Sequence, residues 1–153
     1  MADKIINLDL SPIRKKRIAI NGDENRILEL NTSDLNITTR MRDAYPQLVK
    51  LTEQLDAYSD TKTEITDEES LTNVANEWQS IDTKMRELID YMFDANVSEM
   101  CVPTGSMYDP INGKFRFEWL IDILSDLYEK ELKSEFNKIT KRVEKHTSKY
   151  VKK

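Results

Sequence analysis

The chain has 153 residues, the length of one ordinary domain, with 23 Lys and Arg against 28 Asp and Glu for a net charge of −5. Its 39% hydrophobic content, with three Gly and four Pro, argues against a disordered chain, and its 33% charged content against a membrane-embedded one. One His and one Cys exclude a Cys/His zinc site or a disulfide framework within a single chain.

Acids interrupt every apolar run between Met1 and Asp9, so no secretory signal is expected. No window approaches the roughly 18 consecutive apolar residues of a membrane span, and a cytoplasmic address follows as the expectation. Residues 1–31 read as a β-hairpin arm. Two short β-prone runs, ending at Ile20 and Leu30, flank a polar segment that begins Asn21-Gly22-Asp23. That is a hairpin signal, and Gly22 supplies the positive φ such a turn needs. Ile5, Leu8 and Leu10 offer a third strand.

Residues 32–153 read as a helical body with three main helices, about 33–58, 67–93 and 115–150. The class is mainly α, in a single domain. Ser33 is placed to cap the first helix, with Asp34 in its first turn. Ile37, Met41, Tyr45, Leu48, Leu51, Leu55 and Tyr58 then recur at steps of three or four, and Pro46 should kink or split the run. Residues 52–70 hold seven acids and one Lys, which marks an acidic end of the molecule.

Thr66 and Glu69 have the spacing of a capping box for the second helix. Leu71, Val74, Trp78, Ile81, Met85, Leu88 and Met92 alternate steps of three and four without a slip, the seam of a helix packed along another. The seam suits an intramolecular helical hairpin or an association between chains. Val97–Val102 is long enough for one helical turn. Residues 103–114 hold Pro103, Pro110, Gly105 and Gly113, which predicts a loop. In the last helix Phe117, Leu120, Leu124, Leu127, Leu132, Phe136, Ile139, Val143 and Tyr150 read as one stripe, with His146 filling a step. Residues 133–153 carry a charge of +6, so the first 132 carry −11.

Little here can carry catalysis. His146 lies on the apolar side of a basic helix, with Glu144 as its one neighbouring acid, which suits packing better than general-base work. Gly105-Ser106 lacks the flanks of a nucleophile elbow, and no Gly-rich phosphate loop exists. Asp67-Glu68-Glu69 is better explained by a helix start than by a cation site. Cys101 reads as a small hydrophobe. A non-enzyme without cofactor or metal is expected. Lys138, Lys141, Arg142, Lys145 and Lys149 form a basic patch able to neutralise phosphates, but the net charge of −5 weighs against a nucleic-acid role.

Three stretches together resemble a known family. They are Lys16-Arg17-Ile18-Ala19-Ile20-Asn21-Gly22-Asp23-Glu24-Asn25-Arg26 with Thr32-Ser33-Asp34-Leu35-Asn36; Leu88-Ile89-Asp90-Tyr91-Met92-Phe93-Asp94; and Phe115-Arg116-Phe117-Glu118-Trp119-Leu120 running on to Lys145-His146-Thr147-Ser148-Lys149-Tyr150. In this order they resemble the tail assembly chaperones of long-tailed phages and prophages of Gram-positive bacteria. The segment Glu99-Met100-Cys101-Val102-Pro103 departs from the family pattern, so no local site is carried over there.

The resemblance implies a helical, non-catalytic protein of the host cytoplasm. It would coat the tape-measure protein during virion morphogenesis and recruit tail-tube subunits, with a homo-oligomer allowed and no membrane involved. The alternatives are a structural virion component, such as a tail or head–tail joining protein, or a small nucleic-acid-binding or regulatory protein. Such a holdase needs exposed apolar surface. The candidates are Leu71, Val74, Trp78, Ile81 and Met85 on the seam, and Phe115, Phe117 and Trp119 at the start of the last helix. The same residues would equally serve as core.

Overall fold

The computed structural model describes residues 3–13, 15–60 and 67–148. Strands β1 (Lys16–Ile20) and β2 (Asp23–Leu30) form an antiparallel hairpin ahead of helix α1 (Ile37–Asp60). Helices α2 (Glu68–Phe93) and α3 (Val97–Cys101) follow, then a second, very short hairpin of β3 (Pro110–Ile111) and β4 (Lys114–Phe115). Helix α4 (Arg116–Ser148) closes the described chain. The protein is mainly α, with a short N-terminal hairpin.

Asn21 and Gly22 both have positive φ, 53° and 74°, and together make the two-residue turn between β1 and β2. That backbone twist matches the right-handed twist of the strands it joins. Register shifts between Ala19 and Ile20, so β2 bulges near its start. Beyond the bulge, Leu28 and Leu30 are buried while Glu29 between them faces solvent. The hairpin is tied to the body at α3, where Arg26 Nη2 donates to Met100 O at 2.6 Å. The third strand expected from Ile5, Leu8 and Leu10 does not form, because residues 3–10 pair with no strand and Ile5 is 98% exposed.

Helix α1 starts four residues later than Ser33. Asn31 and Asp34 hold the intervening chain in turns instead: Ser33 N donates to Asn31 Oδ1 and Asn36 N to Asp34 Oδ1. Short polar side chains compete with the helix for the backbone in this way. Burial pushes the Asp34 carboxyl up, but bonds from Arg40 and Asn36 bring it below the usual carboxylate range. Pro46 does not split α1, which is continuous through it. Pro46 itself is exposed, and Ala44, Leu48, Leu51 and Leu55 bury the opposite face of the helix.

Helix α2 is capped one residue later than expected. Ser70 N donates to Asp67 Oδ1 at 2.7 Å, and Asp67 N donates back to Ser70 Oγ at 3.2 Å. Aspartate is a better cap than threonine, so the box shifts to the Asp67/Ser70 pair. Thr66 lies outside the described residues. Arg40 Nε, early in α1, donates to Met92 O, late in α2, and Gln54 lines the same cleft as Glu77. The two helices are therefore an antiparallel pair, which is the intramolecular version of the seam.

Burial grows along that seam. Leu71 is 50% exposed, Val74 and Trp78 are half-buried, and Ile81, Met85, Ile89, Met92 and Phe93 are buried. Helix α4 begins beside the middle of α2. Met107 links the two, its N–H donating to Asp82 Oδ1 and its carbonyl accepting from Phe117 N. Eleven residues further along each helix, Tyr128 meets Phe93 with ring centroids 5.8 Å apart. Hence α4 runs in the same sense as α2 and continues past its end.

Tyr128 is buried, and its hydroxyl has no hydrogen-bond partner among the described residues. Desolvation pushes its pKa up to about 12, above the ordinary tyrosine range. Removing an unpaired buried hydroxyl relieves its desolvation cost, so Tyr128→Phe should stabilise by about 1 kcal/mol, read as a rise in Tm. A fall in Tm would mean that the hydroxyl has a partner. The wild type should also lose stability as pH rises through 10 towards 12, because the unfolded chain ionises this tyrosine first. Tyr128→Phe should lose less over the same interval.

Candidate protein-binding site

The loop between α3 and α4 positions the aromatic candidates, and Arg86 organises that loop. Its guanidinium donates to Ser98 O at 3.2 Å, Val102 O at 3.0 Å and Gly105 O at 2.8 Å, and its Nε to Asp82 Oδ2 at 2.8 Å. A planar fork of fixed donors can satisfy several carbonyls at once, as an ammonium cannot. The other oxygen of Asp82 accepts Met107 N at 2.7 Å. Upstream, Asp90 accepts Ser98 N at 2.7 Å and Ser98 Oγ at 2.9 Å, which seats the start of α3.

The C-terminal side of the loop is tied by Asp109 and Arg116. Ser106 donates to Asp109 through both its hydroxyl and its backbone N–H, while Arg116 lies 3.4 Å from Asp109 and donates to Thr104 O at 3.0 Å. The Ser106 hydroxyl, with the nearby Arg116 and Arg86, holds the Asp109 carboxyl below its usual range against a smaller effect of burial. Gly105 sits at φ +88°, and a Cβ there would displace the Arg116 guanidinium and the Asp109 carboxylate. Gly105→Ala should therefore cost about 2 kcal/mol in thermal unfolding, from backbone strain and the disturbed pair. An unchanged Tm would show that the loop relaxes freely.

This scaffold fixes the rings. Tyr108 meets Trp78 edge-on with centroids 5.1 Å apart, and Phe115 stacks on Phe117 at 5.8 Å. Trp119 Nε1 donates to Ile111 O at 2.7 Å, and Lys114 lies 4.7 Å over its ring. Asn112 and Gly113, both at positive φ, turn β3 into β4. The helix start expected at Phe115 moves to Arg116 because Phe115 belongs to β4. Glu118 accepts Phe115 N at 2.8 Å and closes the first turn of α4.

The candidates thus divide. Ile81, Met85 and Phe117 are buried in the core, Val74 is half-buried, and Trp78, Phe115 and Trp119 are half-buried with their rings engaged. Leu71 is the exposed member. No protein-family model matches this chain, and neither a curated protein nor a solved structure matches it.

A larger apolar surface lies on the second half of α4. The first part of its stripe, with Phe117, Leu124 and Tyr128, is buried. From Tyr128 the stripe runs on through Leu132, Phe136, Ile139 and Val143 at steps of four and three. There Phe136, Ile139 and Val143 are 51%, 45% and 49% exposed. With Leu132 they span an arc of about 60°, and Lys138, Lys141, Arg142 and Lys145 lie on the opposing side. Lys149 and Tyr150 lie outside the described residues, as does the side-chain setting of His146.

Burial pushes the Cys101 thiol up, with Arg26 opposing and Asp90 adding to it by smaller amounts, which suits a packed hydrophobe. Among the described residues no group of three or more His, Cys, Asp or Glu is placed to hold a metal ion, and no helix is long and apolar enough to cross a membrane.

Proposed function

We propose that this chain is a non-catalytic tail assembly chaperone of a long-tailed phage or prophage. It acts in the host cytoplasm, binds the tape-measure protein and helps recruit tail-tube subunits. The observation that carries this is the second half of α4, about 25 Å of helix with an exposed apolar stripe and a basic opposite face. A long amphipathic client can lay an apolar face along such a helix, the basic side keeping the complex in solution. The sequence resemblance supplies the identity of the client.

Co-expression with the tape-measure protein of the same gene cluster, followed by size exclusion, tests the proposal. The expected result is soluble tape measure eluting with this chain. Phe136→Asp with Val143→Asp should abolish co-elution while leaving Tm unchanged, because neither side chain is in the core. Insoluble tape measure beside a folded, soluble partner would refute the chaperone role. A structural virion component would instead be found in purified particles at fixed copy number. The basic face of α4 favours nucleic acid as a second reading, for which retention on DNA should fall steeply with salt.

A further inference from the structure

Ile6-Asn7-Leu8-Asp9-Leu10 alternates apolar and polar residues, the pattern of a half-buried strand. In the fold the segment is neither helix nor strand, and Ile6, Leu8 and Leu10 are 87%, 76% and 54% exposed. Among the described residues no backbone hydrogen bond joins residues 3–10 to any element. A strand pattern is therefore left without a sheet.

The matching edge is on β1. It pairs with β2 on one side, and among the described residues no other backbone hydrogen bond engages it. A two-stranded sheet is marginal alone, and a third strand is what gives such a sheet independent stability. The edge carries exposed Lys15, Lys16 and Arg17, the last two also near Glu131 and Glu29, whereas residues 5–10 carry Asp9 as their one charge, so strand and edge are opposite in sign. Residues 11–13 form a tight helical turn containing Pro12, entered through Asp9 Oδ1 accepting Ser11 N at 3.0 Å. In the fold the segment does not pair with its own β1.

We infer that residues 5–10 of one copy add as an antiparallel third strand to the outer edge of β1 in a second copy. The exchange is reciprocal and gives a two-fold dimer. The second copy is the occupant because each chain holds both the donor strand and the acceptor edge, and two-fold symmetry satisfies both at once. Ile6, Leu8 and Leu10 then lie on the side of the sheet where Ile18 and Ile20 are half-buried.

Sedimentation equilibrium of the full chain, between about 1 and 200 μM, tests the exchange. The expected mass is that of a dimer, with amide hydrogen-exchange protection over residues 6–10 that grows with concentration. Leu8→Asp should weaken dimerisation at least about tenfold while the far-UV circular dichroism of the dilute monomer stays unchanged. Phe136→Asp should leave the dimer intact. A monomer throughout the range, or a dimer indifferent to Leu8→Asp, would overturn the inference. So would a dimer lost with Phe136→Asp alone, which would place the interface on α4.

Discussion

Met85→Asp should leave no folded protein, whereas Leu71→Asp, two heptads earlier on the same seam, should fold with an unchanged Tm. Met85 is completely buried between α1 and α2, and Leu71 is 50% exposed. A carboxylate at the fully buried position 85 must be buried ionised or held neutral. Either costs at least several kcal/mol, against a total stability of about 5–15 kcal/mol for an ordinary domain. Far-UV circular dichroism and the elution volume read the outcome directly. A folded Met85→Asp protein would place the client groove on the inner half of the seam and undo the division between core and surface described above.

Arg86→Ala should be the most damaging polar substitution, lowering stability by about 3 kcal/mol, or Tm by about 10 °C at this chain length. The change leaves Ser98 O, Val102 O and Gly105 O without their shared donor and Asp82 without its cation. The side chain is 22% exposed, so water recovers part of the loss and the full cost of an uncompensated buried charge does not apply. Arg86→Lys should rescue less than half, since one ammonium cannot span three carbonyls and a carboxylate. Loss of tryptophan signal from Trp78 before global unfolding would show the loop detaching first. A Tm within a degree or so of wild type would remove Arg86 from this role.

Several local features were legible but needed closer reading of their neighbours. Asn112-Gly113 is the same turn signal as Asn21-Gly22, yet its flanking strands are only two residues long and periodicity cannot register them. The apolar stripe of α4 is plain in the sequence and continues through Tyr128, Leu132, Phe136, Ile139 and Val143, but spacing does not separate its buried part from its exposed part. The capping box moved by one residue because Asp67 and Ser70 compete with Thr66 and Glu69 for the same role. Arg86, by contrast, shows in the sequence only as the i,i+4 partner of Asp82. Its three carbonyl acceptors lie 12 to 19 residues away on backbone atoms, which any residue type presents equally.

By itself the sequence determined the number and order of the long helices, the first hairpin and its Asn-Gly turn, and the acidic and basic ends. Those properties depend on spacing within a few turns and on side-chain charge, which act locally. Only the tertiary structure decided which half of the α2 seam is core, that α4 outruns the body, and that residues 3–10 find no strand among the described residues. Burial is set by what a distant segment places opposite a residue, and one amphipathic pattern serves a core and a docking face equally well.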